Sequence, residues 1–214
     1  MSRRLPSSET FLWVSGLAFV YASLSFLWSA LGFLSPVPPI HLHEYAFPAL
    51  VTEVGGHVLF GLLAALPTMD IGLVLLAGGE SVLIDSDHLL AALGYPVEGR
   101  LAHSAFFAIF AALVLAYLAR RSGRGGRGVF FVTLSSVAAH LSYDVFAGNG
   151  FFYIAAPLSF ASYEFPLWTW LPLLLIGVAL SSFGRIRMRR RASGTPTSDK
   201  SAPPAGPKIL TPVK

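Results

Sequence analysis

The chain contains no cysteine. That absence removes disulfides, thiolate metal ligands, iron–sulfur clusters and cysteine nucleophiles from consideration. Any metal it holds must be bound through nitrogen and oxygen. Charge is also scarce. Asp, Glu, Lys and Arg make up 12% of the 214 residues, about half the share usual in a soluble domain. Hydrophobic residues make up 54%, and mean hydropathy is +0.65. Apolar runs at 11–34, 101–119 and 165–183 approach or exceed the ~20 residues a helix needs to cross a bilayer. These features describe an integral membrane protein. The net charge of +4 and the pI near 9.6 raise the question of nucleic acid. Most basic residues flank the apolar runs, however, so membrane topology accounts for them and no nucleic-acid partner is expected.

Six segments reach spanning length: 11–34, 47–66, 71–90, 103–119, 129–147 and 165–183. Breakers separate them: Pro36, Pro38 and Pro39 after the first, Pro67 after the second, Gly94 and Pro96 after the third, and RRSGRGGRG after the fourth. A long loop, 148–164, precedes the last. The first run, about 24 residues long, exceeds the ~7–15 of a signal-peptide core, which identifies a retained helix. The expected fold is all-α: a polytopic membrane helix bundle of about six transmembrane helices within residues 1–184, its motif-bearing core at about 57–160. Residues 185–214 begin RIRMRRR and continue into a Ser/Pro/Thr/Lys stretch. They read as a basic, disordered cytoplasmic tail with too little apolar content to fold.

Cations orient the bundle. Arg3 and Arg4 precede the first segment, Arg120, Arg121, Arg124 and Arg127 separate the fourth from the fifth, and Arg185 to Arg191 follow the last. Six spans put all three clusters on one side, which the positive-inside rule makes cytoplasmic. Both termini are then cytoplasmic, in a protein of the cell membrane, and the opposite loops contain only Arg100. The same topology carries His57, Asp85, Asp87, His88, His103, His140 and Asp144 into the outer half of the bilayer. His57 lies deepest, about 15 Å along the second helix from Phe47 at 1.5 Å per residue.

Ionisable side chains in hydrocarbon need a partner, a cavity or an ion. His140 and Asp144, at i,i+4 in HLSYD, share a helix face and can grip one ion, although such a pair alone is more often a hydrogen-bonded couple. LIDSDH is more specific: Asp85 and His88 share a face at i,i+3, while Asp87 points elsewhere. Either the helix ends near Asp85 and the D-x-D-H unit wraps an ion, or Asp87 orients a ligating imidazole. His103 stands at a helix start, where an interfacial histidine is common. His57 follows Glu53 by one turn among Gly55, Gly56 and Gly61, glycines that also suit close helix packing. His41, His43 and Glu44 read as solvated loop residues, and Glu80 as a proton carrier or hydrogen-bond partner. Each Asp near mid-bilayer costs ~2.5–3.5 kcal/mol, so three cost roughly 8–10. A bound zinc ion supplies ~10–16 kcal/mol and is large enough to offset this; a water-filled cavity would serve too.

The order of motifs resembles the YdjM-like family, whose members are regarded as inner-membrane, metal-dependent hydrolases. The resemblance rests on H-x3-G (His57 to Gly61), D-x-D-H (Asp85 to His88), R-x-x-H-S (Arg100 to Ser104) and H-x3-D (His140 to Asp144), followed by FAGNGFFYIAAPLSF. It spans roughly residues 57–160. The family's usual H-R-x-x-T-H-S differs here at Gly99 and Ala102, and Ile84 stands where a proline is common. The missing histidine removes one potential ligand or proton-transfer group.

The leading expectation is a metal-dependent hydrolase. His57, Asp85, His88, His103, His140 and Asp144 are the candidate metal ligands, holding one or two divalent ions, zinc or manganese. Asp87 is a bridging or orienting carboxylate, and Arg100 a binder of an anionic headgroup. A site in the outer half of the bilayer suits a lipid or lipid-linked phosphate or ester. The alternative is a transporter or a proton or metal-ion pathway built from the same cluster. That reading needs polar residues continuing to the cytoplasmic face, where only Glu80 and Asp70 stand. A third reading is a scaffold that retains a structural metal.

Overall fold

The computed structural model describes residues 7–31, 47–89 and 101–193, with side chains left out at 47–50, 87 and 187–193. The chain is predominantly helical. Its six α-helices, counted among the described residues, are α1 (Ser8–Ser29), α2 (Phe47–Ala65), α3 (Ile71–Leu83), α4 (Ala105–Arg121), α5 (Gly126–Phe146) and α6 (Trp170–Ser193). Short polar residues start three of them. The side chains of Ser7, Asp70 and Ser104 accept the backbone N–H groups of Thr10, Leu73 and Phe107 at 3.3, 3.1 and 3.1 Å. These contacts satisfy donors a helix start leaves unpaired.

The helices run alternately up and down. Arg124 lies 4.8 Å from the Trp13 ring at the start of α1, and Arg185 of α6 donates to the Pro67 carbonyl just past α2. Ser25 and Ser86 meanwhile join the far half of α1 to the turn after α3, through the carbonyls of Ile84 and Ala22. Arg120, Arg121, Arg124, Arg127 and Arg185 thus gather at one end of the bundle, as do both ends of the alternating set of helices.

Apolar side chains point outward. Leu12, Phe19, Leu27, Leu59, Leu113 and Leu175 are all more than half exposed, whereas Ser25, Glu80, Ser81, Thr133, Ser135, Ser136, His140 and Ser181 are fully buried. This inverts the soluble pattern and is the arrangement that lipid as solvent favours. The bundle is centred on α5, whose buried residues outnumber those of any other described helix. Serine hydroxyls tie its neighbours together: Ser135 to the Gly177 carbonyl at 2.8 Å, Ser142 to Trp170 at 2.6 Å, and Ser181 to Ala64 at 2.6 Å. Such interhelical bonds supply adhesion where no hydrophobic effect exists.

Four helical segments are long and apolar enough to cross a membrane: Ser8–Ser29, Val51–Thr68, Gly126–Phe146 and Leu167–Ile186. The third expected span is shorter than the sequence suggests, and the fourth keeps its length but starts two residues later. The backbone tightens into a 3-10 turn at Ile84–Asp87, so α3 has 13 residues instead of running to 90. A second 3-10 turn, Leu101–His103, precedes α4, which has 17 residues. Conversely α6 continues to Ser193, past Gly184, where the last segment was expected to end. Between α5 and α6 a two-residue antiparallel pair, β1 (Phe151–Phe152) and β2 (Tyr163–Glu164), closes the loop in the register Phe151–Glu164 and Phe152–Tyr163. Residues Pro36 to Pro39, His41, His43, Glu44, Gly94, Pro96, Gly99 and Arg100 lie outside the described residues, as do Arg3, Arg4 and 194–214.

Candidate metal centre

At the end of the bundle away from the arginines, four elements deliver histidine and aspartate to one point. His57 comes from α2, Asp85 from the turn after α3, His103 from the turn before α4, and His140 with Asp144 from α5. The tightening that shortens α3 has a local consequence: it leaves the helical path just where Asp85 must turn inward. Gly61, one turn beyond His57, brings α2 against α3. A Cβ there would meet the Ala77 carbonyl oxygen at 2.6 Å, so only glycine lets α2 approach closely enough to present His57 to Asp85. Gly56 in turn lies under the Tyr143 ring, which sits edge-on to His57 at 4.6 Å and donates to the Thr52 carbonyl at 3.2 Å.

The three buried imidazoles aim their Nε2 atoms at the two carboxylates. His103 stands 3.3 Å from Asp85 Oδ1 and 3.6 Å from Asp144 Oδ2. His140 stands 3.5 and 3.3 Å from the same two oxygens. His57 faces the other oxygens, Asp85 Oδ2 and Asp144 Oδ1, at 3.6 Å each. The two Nε2 atoms of His103 and His140 are 2.8 Å apart. His140 Nδ1 lies 2.6 Å from the Ser81 carbonyl. A carbonyl only accepts, so Nδ1 carries the proton and the Nε2 lone pair of the neutral ring faces the cluster.

The six imidazole–carboxylate spacings suit an ion better than a hydrogen-bonded network, whereas His103 and His140 stand at hydrogen-bonding distance from each other. The imidazole–carboxylate distances exceed the about 2.7–3.2 Å of an N–H···O hydrogen bond. Donors that each sit about 2.0–2.2 Å from one tetrahedral ion are about 3.3–3.6 Å apart. Two overlapping sets, His57–Asp85–His140 and His103–His140–Asp144, are close enough to hold a metal ion. Imidazole nitrogen with carboxylate oxygen is a donor set for zinc or manganese.

No known family, characterised protein or solved structure matches this chain.

The geometry therefore stands alone. Of the six expected ligands, His57, Asp85, His103, His140 and Asp144 converge. His88 is at the rim, its side chain 35% exposed and its Nε2 3.9 Å from Asp85 Oδ1. Asp87 follows Asp85 in the 3-10 turn, but its side chain is not described, and Arg100 lies outside the described residues. Glu53 joins the centre from α2, with Oε2 3.8 Å from His57 Nε2. In the sequence it is only a neighbour of His57; the signal was its i,i+4 spacing, the same spacing that links His140 to Asp144. Phe152 of β1 covers His103 face to face at 6.2 Å between ring centres, a contact no local pattern announces. Asp70 caps α3, and Glu80 accepts from Thr133 at 3.0 Å and from Ser136 at 2.9 Å, one turn or more inward of the centre.

Proposed function

We propose that this chain is a membrane-embedded, metal-dependent hydrolase of the YdjM-like kind, acting on a lipid or lipid-linked phosphate or ester in the outer half of the cell membrane. The observation that carries the reading is the convergence of three imidazole Nε2 atoms and both oxygens of two aspartates at one end of an apolar bundle. Six helices cross the membrane, α3 and α4 as short members completed by the turns that carry Asp85 and His103. Both termini face the cytoplasm on the arginine side. His57, His103, His140, Asp85 and Asp144 hold zinc or manganese, with His88 at the rim. When bound, such an ion lowers the pKa of water to ~7 and polarises a phosphoryl or carbonyl oxygen. Ser81 fixes the tautomer of His140, Phe152 shields His103, Asp87 orients or bridges, and Arg100 holds an anionic headgroup. The YdjM-like assignment is supported by the ordered motifs, whose key residues His57, Asp85, His103, His140 and Asp144 meet in space.

Elemental analysis of detergent-purified protein, as isolated and after reconstitution with zinc and manganese, tests the reading. We expect bound metal in the wild type, none in His140→Ala/Asp144→Ala, and metal-dependent release of phosphate or fatty acid from phospholipid vesicles or from a polyprenyl phosphate. A wild type that stays metal-free after reconstitution overturns it. The second reading, an ion pathway, draws on Glu80 with Thr133 and Ser136 inward of the centre. It predicts metal or proton flux into sealed proteoliposomes that Glu80→Gln abolishes.

A further inference from the structure

We infer that Glu80 is a proton-binding site at the closed inner end of a polar seam, and that it exchanges its proton with the metal end of the bundle and not with the arginine end. The inference goes beyond the proposed function. It stands on the hydroxyls and apolar side chains around Glu80, with or without a bound ion.

The seam is built from the inner faces of α1, α3 and α5. On α1, Ser25 and Ser29 follow Tyr21 at helical spacing, and all of them are fully buried. On α5, Thr133, Ser136, His140 and Asp144 follow one another at three- or four-residue steps and so share a face. Glu80 comes from α3, inward of Asp85. Toward the arginine end the same faces turn apolar within one turn. Leu17 and Val14 stand there on α1, Leu76 and Leu73 on α3, and Val129 on α5, all packed into one buried cluster. Polar side chains therefore continue outward from Glu80 to Asp85 and His140, and stop inward of it. A route through the membrane would need them on both sides.

At this closed end the chemistry suits a proton. Among the described residues Glu80 has hydroxyl partners and no cationic one: Thr133 lies 3.0 Å from Oε1 and Ser136 2.9 Å from Oε2. A lone carboxylate is costly in so apolar a setting, and a proton removes its charge. Ser136 shows where that proton fits. Its single hydroxyl hydrogen faces two acceptors, Glu80 Oε2 and the Thr133 carbonyl at 2.8 Å. With a proton on Oε2 both contacts are hydrogen bonds at once, Ser136 donating to the carbonyl and accepting from Glu80. Tyr21 provides the way out. It is fully buried, lies beside Ser136, and interacts electrostatically with both Glu80 and Asp85. Just outward of it, Ser25 donates to the Ile84 carbonyl and Ser86 to the Ala22 carbonyl, which seats the Asp85 turn against α1. The titratable groups along the seam are thus Tyr21 from α1, Asp85 from the turn after α3 and His140 from α5. The proton moves by exchange: the Glu80 proton reaches the Tyr21 oxygen by way of Ser136 as the phenolic proton leaves toward the metal end, so Tyr21 ends uncharged. A reaction that releases or consumes a proton at that end has an interior carboxyl to balance it.

The test is infrared spectroscopy of the full chain in detergent at neutral pH, with no metal added. We expect the C=O stretching band of a protonated carboxyl in the wild type, shifted in heavy water and lost in Glu80→Gln. Tyr21→Phe should keep the band and slow its shift in heavy water. Sealed proteoliposomes should show no proton flux above that of protein-free vesicles. A wild type with ionised carboxylate bands alone, or a band that Glu80→Gln leaves intact, overturns the proton site. Exchange as fast in Tyr21→Phe as in wild type overturns the route. Proton flux that Glu80→Gln abolishes overturns the closed end and returns Glu80 to a through pathway. If Glu80→Gln fails to fold, Thr133→Val decides: it removes the donor to Oε1 and should shift the band, and an unmoved band overturns the assignment. Because the band is read without metal, its failure and the failure of the hydrolase reading are separate outcomes.

Discussion

His140 has two fixed partners, one for each ring nitrogen. Its Nδ1 is held by a backbone carbonyl at 2.6 Å, so Nε2 has no choice but to face Asp85, Asp144 and His103. Losing an outer partner of a metal-binding imidazole costs about 10–100-fold in affinity, and losing a ligand should cost more. Asp144→Asn keeps the shape of the side chain but removes its charge and half its acceptor capacity. We expect zinc affinity, measured by competition with a coloured chelator, to fall by more than about 100-fold, with the helical circular dichroism unchanged. Retained affinity would mean Asp144 is not a ligand. Glu80 makes a contrasting case. It is fully buried, accepts from Thr133 and Ser136, and touches neither aspartate. Glu80→Gln keeps an acceptor and should be nearly neutral in stability. Glu80→Leu strands the buried Thr133 hydroxyl, while Ser136 keeps the Thr133 carbonyl at 2.8 Å, and should cost about 1–3 kcal/mol by denaturant unfolding in detergent. A leucine variant as stable as wild type would mean that Glu80 is kept for something other than packing, and would favour the ion pathway.

The helices packed behind the centre are governed by backbone approach rather than by hydrophobic stripes, because most faces of a bundle in lipid are apolar. Gly61 is the test. Gly61→Ala places a methyl against the Ala77 carbonyl at 2.6 Å and the Ser81 Cβ at 2.7 Å, so α2 must retreat from α3. We expect a loss of about 1–3 kcal/mol, the usual cost of overpacking, together with weaker metal binding as His57 withdraws. Gly55→Ala and Gly79→Ala meet nothing within 4 Å and serve as controls; each should be neutral or stabilise by up to about 1 kcal/mol through helix propensity. This scale also shows what could be read in advance. The start of α3 follows from Pro67 and the cap residue Asp70, and helix-long apolar runs show plainly in the sequence. The early end of α3 is one of the two readings that the polar D-x-D-H unit allows, and tertiary partners decide it: His57 of α2, His103 of the turn before α4 and His140 of α5 draw Asp85 inward. The motif histidines are weak signals one by one and gain weight from a topology that carries them into the same half of the bilayer, but their exact meeting point depends on α5 sitting at the centre of the bundle. Phe152 reaches the centre through tertiary packing that local spacing does not encode, whereas Glu53 carries its signal in the i,i+4 spacing to His57.

The whole molecule is turned inside out relative to a soluble domain, with a lipid-facing apolar exterior and hydroxyls, histidines and carboxylates within. An ion bound at the cluster would link α2, the turns beside α3 and α4, and α5, and so would act on global stability. Free metal at 100 times its Kd should stabilise the fold by about 2.7 kcal/mol, and a chelator should lower Tm accordingly. In His140→Ala/Asp144→Ala the chelator should do nothing. An unchanged wild-type Tm would show that the four elements are held together without an ion. Orientation in the membrane is the last whole-molecule property, and the absence of cysteine makes it directly measurable. Ser122 lies between α4 and α5 at the arginine end, and Ala161 is exposed in the loop between β1 and β2 at the metal end. If the arginines mark the cytoplasmic face, as positive-inside topology requires, Ala161→Cys in intact cells reacts with a membrane-impermeant maleimide and Ser122→Cys reacts only after lysis. The reverse pattern would put the metal centre in the cytoplasmic leaflet. Its substrate would then be a lipid intermediate on its way out of the cell rather than one already delivered to the outer face.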